Sequence, residues 1–126
     1  MDTNEKLTAA NIRYLLTMKD LSDDGSIIRN TTLAYHFQYK KSSIHAMLKH
    51  LAAIGMIEKD GSNIIHLTAK GADTAERYQR YYGQIDTMLQ QFFPEFAQRE
   101  NAVLALLAEI PEQDLQRNMS GNSSSC

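Results

Sequence analysis

The chain has 126 residues, of which 43% are hydrophobic and 22% charged, an ordinary globular composition for one domain or two very small ones. Thirteen Lys and Arg against fifteen Asp and Glu leave a net charge of -2, which excludes a uniformly basic coat and leaves only local patches for an anionic partner. The single cysteine, Cys126, excludes an internal disulfide framework and a cysteine-built zinc site, no apolar run reaches the roughly 20 residues of a membrane span, and the polar stretch from Met1 to Lys6 is no signal peptide, so a cytoplasmic protein is expected.

A first helix is predicted from Leu7 to Leu21, where Ile12, Leu15, Leu16 and Met18 keep helical spacing with no Gly or Pro between them. The cluster from Ser22 to Ser26 stops it. After the apolar pair Ile27-Ile28, Asn30 or Thr31 offers an N-cap. Leu33, Ala34 and Phe37 then form one face of a short second helix ending near Gln38-Tyr39. A third helix follows from about Lys41 to Ile54. Its apolar positions, Ile44, Met47, Leu48, Leu51 and Ile54, make a single stripe, and Gly55 is its expected C-cap.

Beyond Gly55 the sequence changes character. Met56 to Lys59 and Asn63 to Leu67 are short and β-prone, and Asp60-Gly61 between them signals a hairpin, because both residues tolerate positive φ. Thr68 can cap a long helix reaching Phe92 or Phe93, with Ala72, Ala75, Tyr78, Tyr82, Ile85, Leu89 and Phe92 on its apolar side. Pro94 interrupts it. Ala97 to Ile110 is helical in pattern and apolar nearly all round from Ala102 to Ala108, as in a helix buried on more than one face. Pro111 opens a last short segment. Asn118 to Cys126, rich in Gly, Ser and Asn, is expected to be disordered.

The expected fold is therefore mainly α with a small β-hairpin: a winged helix-turn-helix over 1–68, a helical dimerisation region over 69–117 and a tail over 118–126. The most informative feature is a segregation of charge. From Gly25 to Ile57 there is no Asp or Glu, while Arg29, Lys40, Lys41 and Lys49 lie there with His36, His45 and His50. This stretch coincides with the second and third helices. Neutralising DNA phosphates and releasing their counterions is what such a face can do, although a solvated, mildly basic helix face has the same composition. Lys40, Lys41, Ser42 and Ser43 lie at the start of the third helix, where free backbone N–H groups attract phosphate. His45, Ala46, Lys49 and His50 fall off the apolar stripe and would face the major groove. Arg29, Thr31 and Tyr35 are candidates for backbone contacts. Lys59, Ser62 and Asn63 surround the wing tip, where Glu58 and Asp60 work against a phosphate contact.

No catalytic constellation accompanies these features. Three of the four histidines, His36, His45 and His50, lie in the acid-free stretch, no orienting carboxylate is expected beside any of them or His66, and there is no phosphate loop, nucleophile elbow or HExxH. Exposed or DNA-facing histidines explain them, and the chain is not expected to be an enzyme. The aromatic side chains of the long helix and its successor fit a dimer core, with Tyr78, Tyr82, Ile85, Leu89, Phe92, Val103, Leu104 and Leu107 as interface candidates. The aromatic cluster Tyr78, Tyr81, Tyr82, Phe92, Phe93 and Phe96 also leaves open an apolar ligand pocket near Tyr82 and Phe92.

The run Tyr39-Lys40-Lys41-Ser42-Ser43-Ile44-His45-Ala46-Met47-Leu48-Lys49-His50-Leu51, then Ile54-Gly55-Met56-Ile57 and Leu67-Thr68-Ala69-Lys70-Gly71, resembles the iron- and manganese-dependent repressors of the DtxR/MntR family. That family's recognition helix has a Ser-Val-Thr-x-Met-Leu core, and its wing ends in Leu-Thr-x-x-Gly. Tyr14-Leu15 with Met18 and Leu21 resembles its first helix. The MarR family shares part of the pattern but has a longer N-terminal dimerisation helix. The resemblance implies a homodimer presenting two reading helices to a pseudo-palindromic operator on double-stranded DNA. It also implies metal ligands, but the corresponding positions fall among Asn11, Ile12, Arg13, Leu15 and Leu16, near Tyr82, and near Leu104, Leu107 and Ala108. Apolar side chains cannot ligate a hard divalent cation, so no metal or other cofactor is expected. Gln38 stands where the family's turn commonly has Gly, and Lys40 where a capping Ser is common. The alternatives are a MarR-like regulator answering to an unknown small molecule, and a winged helix that contacts proteins without binding DNA.

Overall fold

A computed structural model of the chain describes residues 6–117. The expected tail, 118–126, and Cys126 with it, lie outside the described residues. In chain order the elements are α1 (Ala9–Asp23), α2 (Asn30–Phe37), α3 (Lys41–Ala53), β1 (Ile57–Lys59), β2 (Ile65–Leu67), α4 (Ala69–Phe92) and α5 (Arg99–Glu109), followed by helical residues over 112–117. This is the expected winged helix-turn-helix; among the described residues the helices are joined by short loops and one antiparallel hairpin, which pairs Ile57 with Leu67, Glu58 with His66 and Lys59 with Ile65. No helix among the described residues is long and apolar enough to cross a membrane.

The chain forms two compact units, and they do not divide at 68/69 as expected. One is Tyr14–Glu76; the other combines the residues up to Arg13 with those from Arg77 onward. The first turns of α4 stay with the wing because hydrogen bonds of Thr68 and Gly71 tie them to it.

In the unit Tyr14–Glu76, the buried apolar side chains are Tyr14, Leu15 and Met18 of α1, Ile28, Leu33 of α2, Ile44, Leu48 and Leu51 of α3, Met56, Ile57, Ile65 and Ala75. Both α1 and α3 end in the same way. Gly25 and Gly55 each take φ +82°. The N–H of Gly25 bonds the carbonyl of Ser22 and that of Ser26 the carbonyl of Leu21, both at 3.0 Å; Gly55 bonds Ala52 at 3.0 Å and Met56 bonds Leu51 at 2.9 Å. This pair of bonds closes the last carbonyls of a helix and needs a left-handed residue, for which glycine carries no Cβ penalty. Ser22 and Asp23 therefore continue α1 two residues past the expected stop at Leu21.

The start of α1 also moves by two residues. Thr8 caps it in a reciprocal pair with Asn11: the Asn11 N–H donates to Thr8 Oγ1 and the Thr8 N–H to Asn11 Oδ1, both at 3.0 Å. The wing extends by one rung beyond its two strands, because the N–H of Ile65 donates to the carbonyl of Ile28 at 2.8 Å. Ile28 is thereby buried, while Ile27 stays exposed.

In the other unit, Ile12, Tyr78, Tyr81, Ile85, Val103, Leu104, Leu107 and Leu115 are buried. Arg77 Nε and Tyr81 Oη both donate to Glu112, the phenol at 2.9 Å, which ties 112–117 to α4. Arg13 donates to Asn101 Oδ1 at 2.8 Å and faces Glu100 at 3.7 Å. Arg99 pairs with Asp86. Burial, with Glu112 as the next cause, pushes the Tyr78 phenol up to about 12. α4 ends at Phe92, as expected. α5 begins at Arg99 rather than Ala97.

Candidate nucleic-acid interface

The helical stripe of α3 divides its residues cleanly. Ile44, Leu48 and Leu51 are buried; Lys41, Ser42, Ser43, His45, Ala46, Lys49 and His50 are all exposed. Lys40 is the N-cap, with extended backbone and no side-chain cap bond, so no protein side chain caps the first amides of α3. α2 carries Tyr35 and His36 exposed over buried Leu33. Its N-cap is Arg29, not the expected Asn30 or Thr31. The Arg29 N–H donates to Thr32 Oγ1 at 3.1 Å, so Thr32 closes this end and leaves the Arg29 and Thr31 side chains exposed. Between the helices, Gln38 takes the left-handed conformation, φ 62°, where a Gly would sit without strain. Its N–H bonds the Ala34 carbonyl at 2.9 Å and its amide Nε2 the Tyr35 carbonyl at 3.2 Å.

All of the acid-free stretch lies in one compact unit, and each of its charged or imidazole side chains (Arg29, His36, Lys40, Lys41, His45, Lys49 and His50) is exposed. An exposed stretch without carboxylates on a chain of net negative charge favours attraction of a polyanion.

The wing tip departs from the expected turn. Gly61 has no positive φ; the left-handed residue is Asn63, at φ 64°. Asp60 builds the turn instead. Its Oδ1 accepts the N–H groups of Ser62 at 2.8 Å and Ile64 at 3.1 Å, and its carbonyl accepts the N–H of Asn63 at 3.0 Å. Its Oδ2 lies 2.9 Å from His66 Nε2, so His66, against expectation, does have a carboxylate beside it, one that serves the turn. These contacts, His66 first and the two amides next, hold the Asp60 carboxyl below its ordinary value. Lys59, Ser62 and Asn63 remain exposed around this closed loop.

The wing is fastened to α3 by the Leu67-to-Gly71 segment. Thr68 donates its hydroxyl to the Gly55 carbonyl and its N–H to the Met56 carbonyl at 3.0 Å. The Thr68 hydroxyl accepts the Gly71 N–H at 3.0 Å, and Lys70 Nζ donates to the Ile54 carbonyl at 2.8 Å.

Of the expected dimer residues, Tyr78, Ile85, Val103, Leu104 and Leu107 are buried within the chain itself, at 8% exposure or less. Tyr82 and Leu89 are half-buried, and Phe92 is 72% exposed. Phe93 and Phe96, part of the aromatic set expected at a dimer core or ligand pocket, are exposed as well, as are Leu106 and Met88, the last of which the apolar pattern did not mark. An open apolar hollow of about 560 Å³ lies at the end of α4, lined by Leu89, Phe93, Pro94, Glu95 and Phe96; of the aromatic residues that could line a ligand pocket it takes Phe93 and Phe96, and not Tyr82 or Phe92.

The positions that the resemblance assigns to metal hold other partners. Asn11 bonds Thr8, Arg13 bonds Asn101 and faces Glu100, and Leu104 and Leu107 are core. Burial, with Glu100 and Asp86 as lesser causes, raises the Tyr82 phenol. Among the described residues, no group of three or more His, Cys, Asp and Glu comes together as metal ligands do.

No family model matches the chain. No curated protein sequence matches it either. Solved structures do. The hypothetical protein SSo2273 from Sulfolobus solfataricus superposes with a TM-score of 0.70 at 21% identity, over 95% of this chain and 94% of that one. T. acidophilum IdeR gives 0.68 at 18% identity, over 94% of this chain. The manganese regulator SloR gives 0.67 at 20% identity, over 86% of this chain. The chain spans 55% of the IdeR chain and 53% of the SloR chain. At these identities the likeness establishes a shared fold.

Proposed function

We propose that the chain is a DNA-binding transcription regulator that acts as a homodimer on a pseudo-palindromic duplex operator and needs no metal to do so. The observation that carries this reading is the acid-free stretch from Gly25 to Ile57, whose cationic and imidazole side chains all lie exposed on and around α2 and α3, above the buried stripe of Ile44, Leu48 and Leu51. A fold shared with a protein described as a manganese regulator supports it. In this reading α3 enters the major groove. Lys40, Lys41, Ser42, Ser43 and the free amides at its start hold phosphates, and His45, Ala46, Lys49 and His50 face base edges. Arg29, Thr31 and Tyr35 contact the backbone, and Lys59, Ser62 and Asn63 track the neighbouring groove. The half-buried Tyr82 and Leu89 and the exposed Phe92 supply the apolar face for a second copy.

A salt titration of binding to duplex DNA, run with EDTA and again with excess Mn²⁺, tests the reading. The expected result is a steep salt dependence that is the same in both. Lys41→Ala lowers the slope by about one, as the loss of one phosphate contact does. Tightening with Mn²⁺ refutes metal independence, and binding that ignores salt moves the surface to a protein partner.

A further inference from the structure

The acid-free face holds aromatic rings as well as charges, and a B-form duplex has little use for them. Tyr14, 2% exposed, lies 4.7 Å from Phe37 between ring centroids. Phe37 lies 5.3 Å from Tyr39 with the two planes only 18° apart. His36 meets Phe37 edge-on at 5.2 Å. Tyr39 is the outermost ring of this row and remains 44% exposed. It stacks on Phe37, which also packs against the buried Tyr14, and keeps nearly half of its surface open to solvent. Lys40 and Lys41, both exposed, follow it directly, and Tyr35 on α2 is 82% exposed. No carboxylate occurs in the sequence from Gly25 to Ile57.

A stacked duplex offers a protein its phosphates and its base edges. The faces of its bases are covered by their neighbours. A ring held flat and half-open beside two lysines matches the face of an unstacked base, and base–aromatic stacking with backbone cations alongside is how single strands are held. We infer that Tyr39 is a stacking platform for an unpaired base, and that this face binds single-stranded nucleic acid as well as duplex DNA. Lys40 and Lys41 take the flanking phosphates, and Tyr35 offers a second ring. The inference rests on the reading of the acid-free face as a nucleic-acid surface.

The test is fluorescence anisotropy at one salt concentration, with labelled oligothymidylate and oligouridylate of about 15 nucleotides and a duplex of mixed sequence. Tyr39→Leu keeps apolar cover on Phe37 but removes the ring, and it is expected to weaken single-strand binding by roughly 5- to 100-fold, the worth of one stacked base. It leaves the duplex affinity unchanged, and Tyr39→Phe restores single-strand binding. The chain has no Trp, so its tyrosine emission reports directly, and binding of the single strand should quench it less in Tyr39→Phe. Tyr35→Ala, at a side chain almost wholly in solvent, is the second variant; it gives up a ring on single strands but only a backbone contact on the duplex, so its loss is expected to be larger on single strands. Preference for thymidylate identifies an opened DNA strand as the ligand; preference for uridylate identifies RNA on the same platform. Duplex binding without single-strand binding, or an equal loss on both from Tyr39→Leu, overturns the platform and leaves the regulator standing. Binding to neither overturns both.

Discussion

One substitution made at two places in the same helix has opposite expected signs. Gly71 is the third residue of α4 and is buried. A Cβ added there would lie 1.9 Å from the carbonyl oxygen of Met56, 2.8 Å from its carbonyl carbon and 3.2 Å from its Cα. That backbone has little freedom to yield. The Met56 N–H is bonded to Leu51 at 2.9 Å, and its carbonyl holds the Thr68 N–H at 3.0 Å. Gly83, farther along α4, has nothing within 4 Å of the same added atom. Replacing an interior helical Gly by Ala gains about 1 kcal/mol where the site is open. Forcing a methyl group into packed structure costs about 1–3 kcal/mol and occasionally more, and a contact this short against backbone belongs at the upper end. Gly83→Ala is therefore expected to stabilise the chain by about 0.5–1 kcal/mol. Gly71→Ala should destabilise it by about 2 kcal/mol or more once the helical gain is subtracted. Urea unfolding followed by circular dichroism, at one protein concentration because assembly shifts the midpoint, measures both. Equal stabilisation by the two changes would refute the close approach of α4 to Met56, and with it the reason for a glycine in the Thr68-to-Gly71 motif.

Gln38→Gly relieves the left-handed strain at φ 62° between α2 and α3 and should raise stability by about 0.5–1 kcal/mol, the αL penalty less the entropy of a glycine; a loss would show that the Gln38 bond to the Tyr35 carbonyl outweighs the strain. Asp60→Ala should loosen the wing and weaken duplex binding at neutral pH. Because the Asp60 carboxyl is held below its ordinary value of 3.8, its contribution is present above that value and fades as pH falls beneath it, so wild type and variant should converge in acid. A stability difference that persists unchanged in acid removes the carboxylate from the turn. Phe92→Asp should shift sedimentation toward the monomer without lowering the unfolding midpoint of the monomeric chain, since this ring is 72% exposed; an unaltered dimer places the interface elsewhere.

Where one residue spacing decides the outcome, the sequence was readable. The stripe Ile44, Leu48 and Leu51 and the exposed residues between them follow from 3.6 residues per turn, as does the identity of every helix up to α5. The helix ends shifted by about two residues because hydrogen bonds place them, and those at Thr8 and Gly25 have to be seen to be counted. At the wing tip the dipeptide Asp60-Gly61 marked the turn correctly but not its mechanism, because a side-chain carboxylate closes it and Asn63 takes the positive φ. Of the apolar residues of α4 and α5 expected at a partner, Tyr78, Ile85, Val103, Leu104 and Leu107 are covered by the chain itself, while Tyr82, Leu89 and Phe92 keep exposed surface. Val103, Leu104 and Leu107 look the same in sequence whether the covering surface is their own chain or a second copy. The Tyr39 platform needed residues 14, 37 and 39 in one place, which no local pattern contains.

The segment that carries much of the family resemblance has a structural use. The bonds of Thr68 to Gly55, Met56 and Gly71, and the one from Lys70 Nζ to Ile54, run within the segment or to the backbone just after α3. Gly71 is required by the same approach. Thr68 to Gly71 thus sets the wing against α3, a use of these residue types that is structural and independent of any ligand. The positions of the resemblance that would carry a metal are under no such constraint. There Arg13, a cation belonging to the chain itself, faces Glu100 and bonds Asn101. The residues that build the fold and those that would carry its chemistry are therefore separable. A shared fold at 18–21% identity leaves the chain's ligand to be decided by its own exposed surface, which on α2 and α3 is cationic and aromatic.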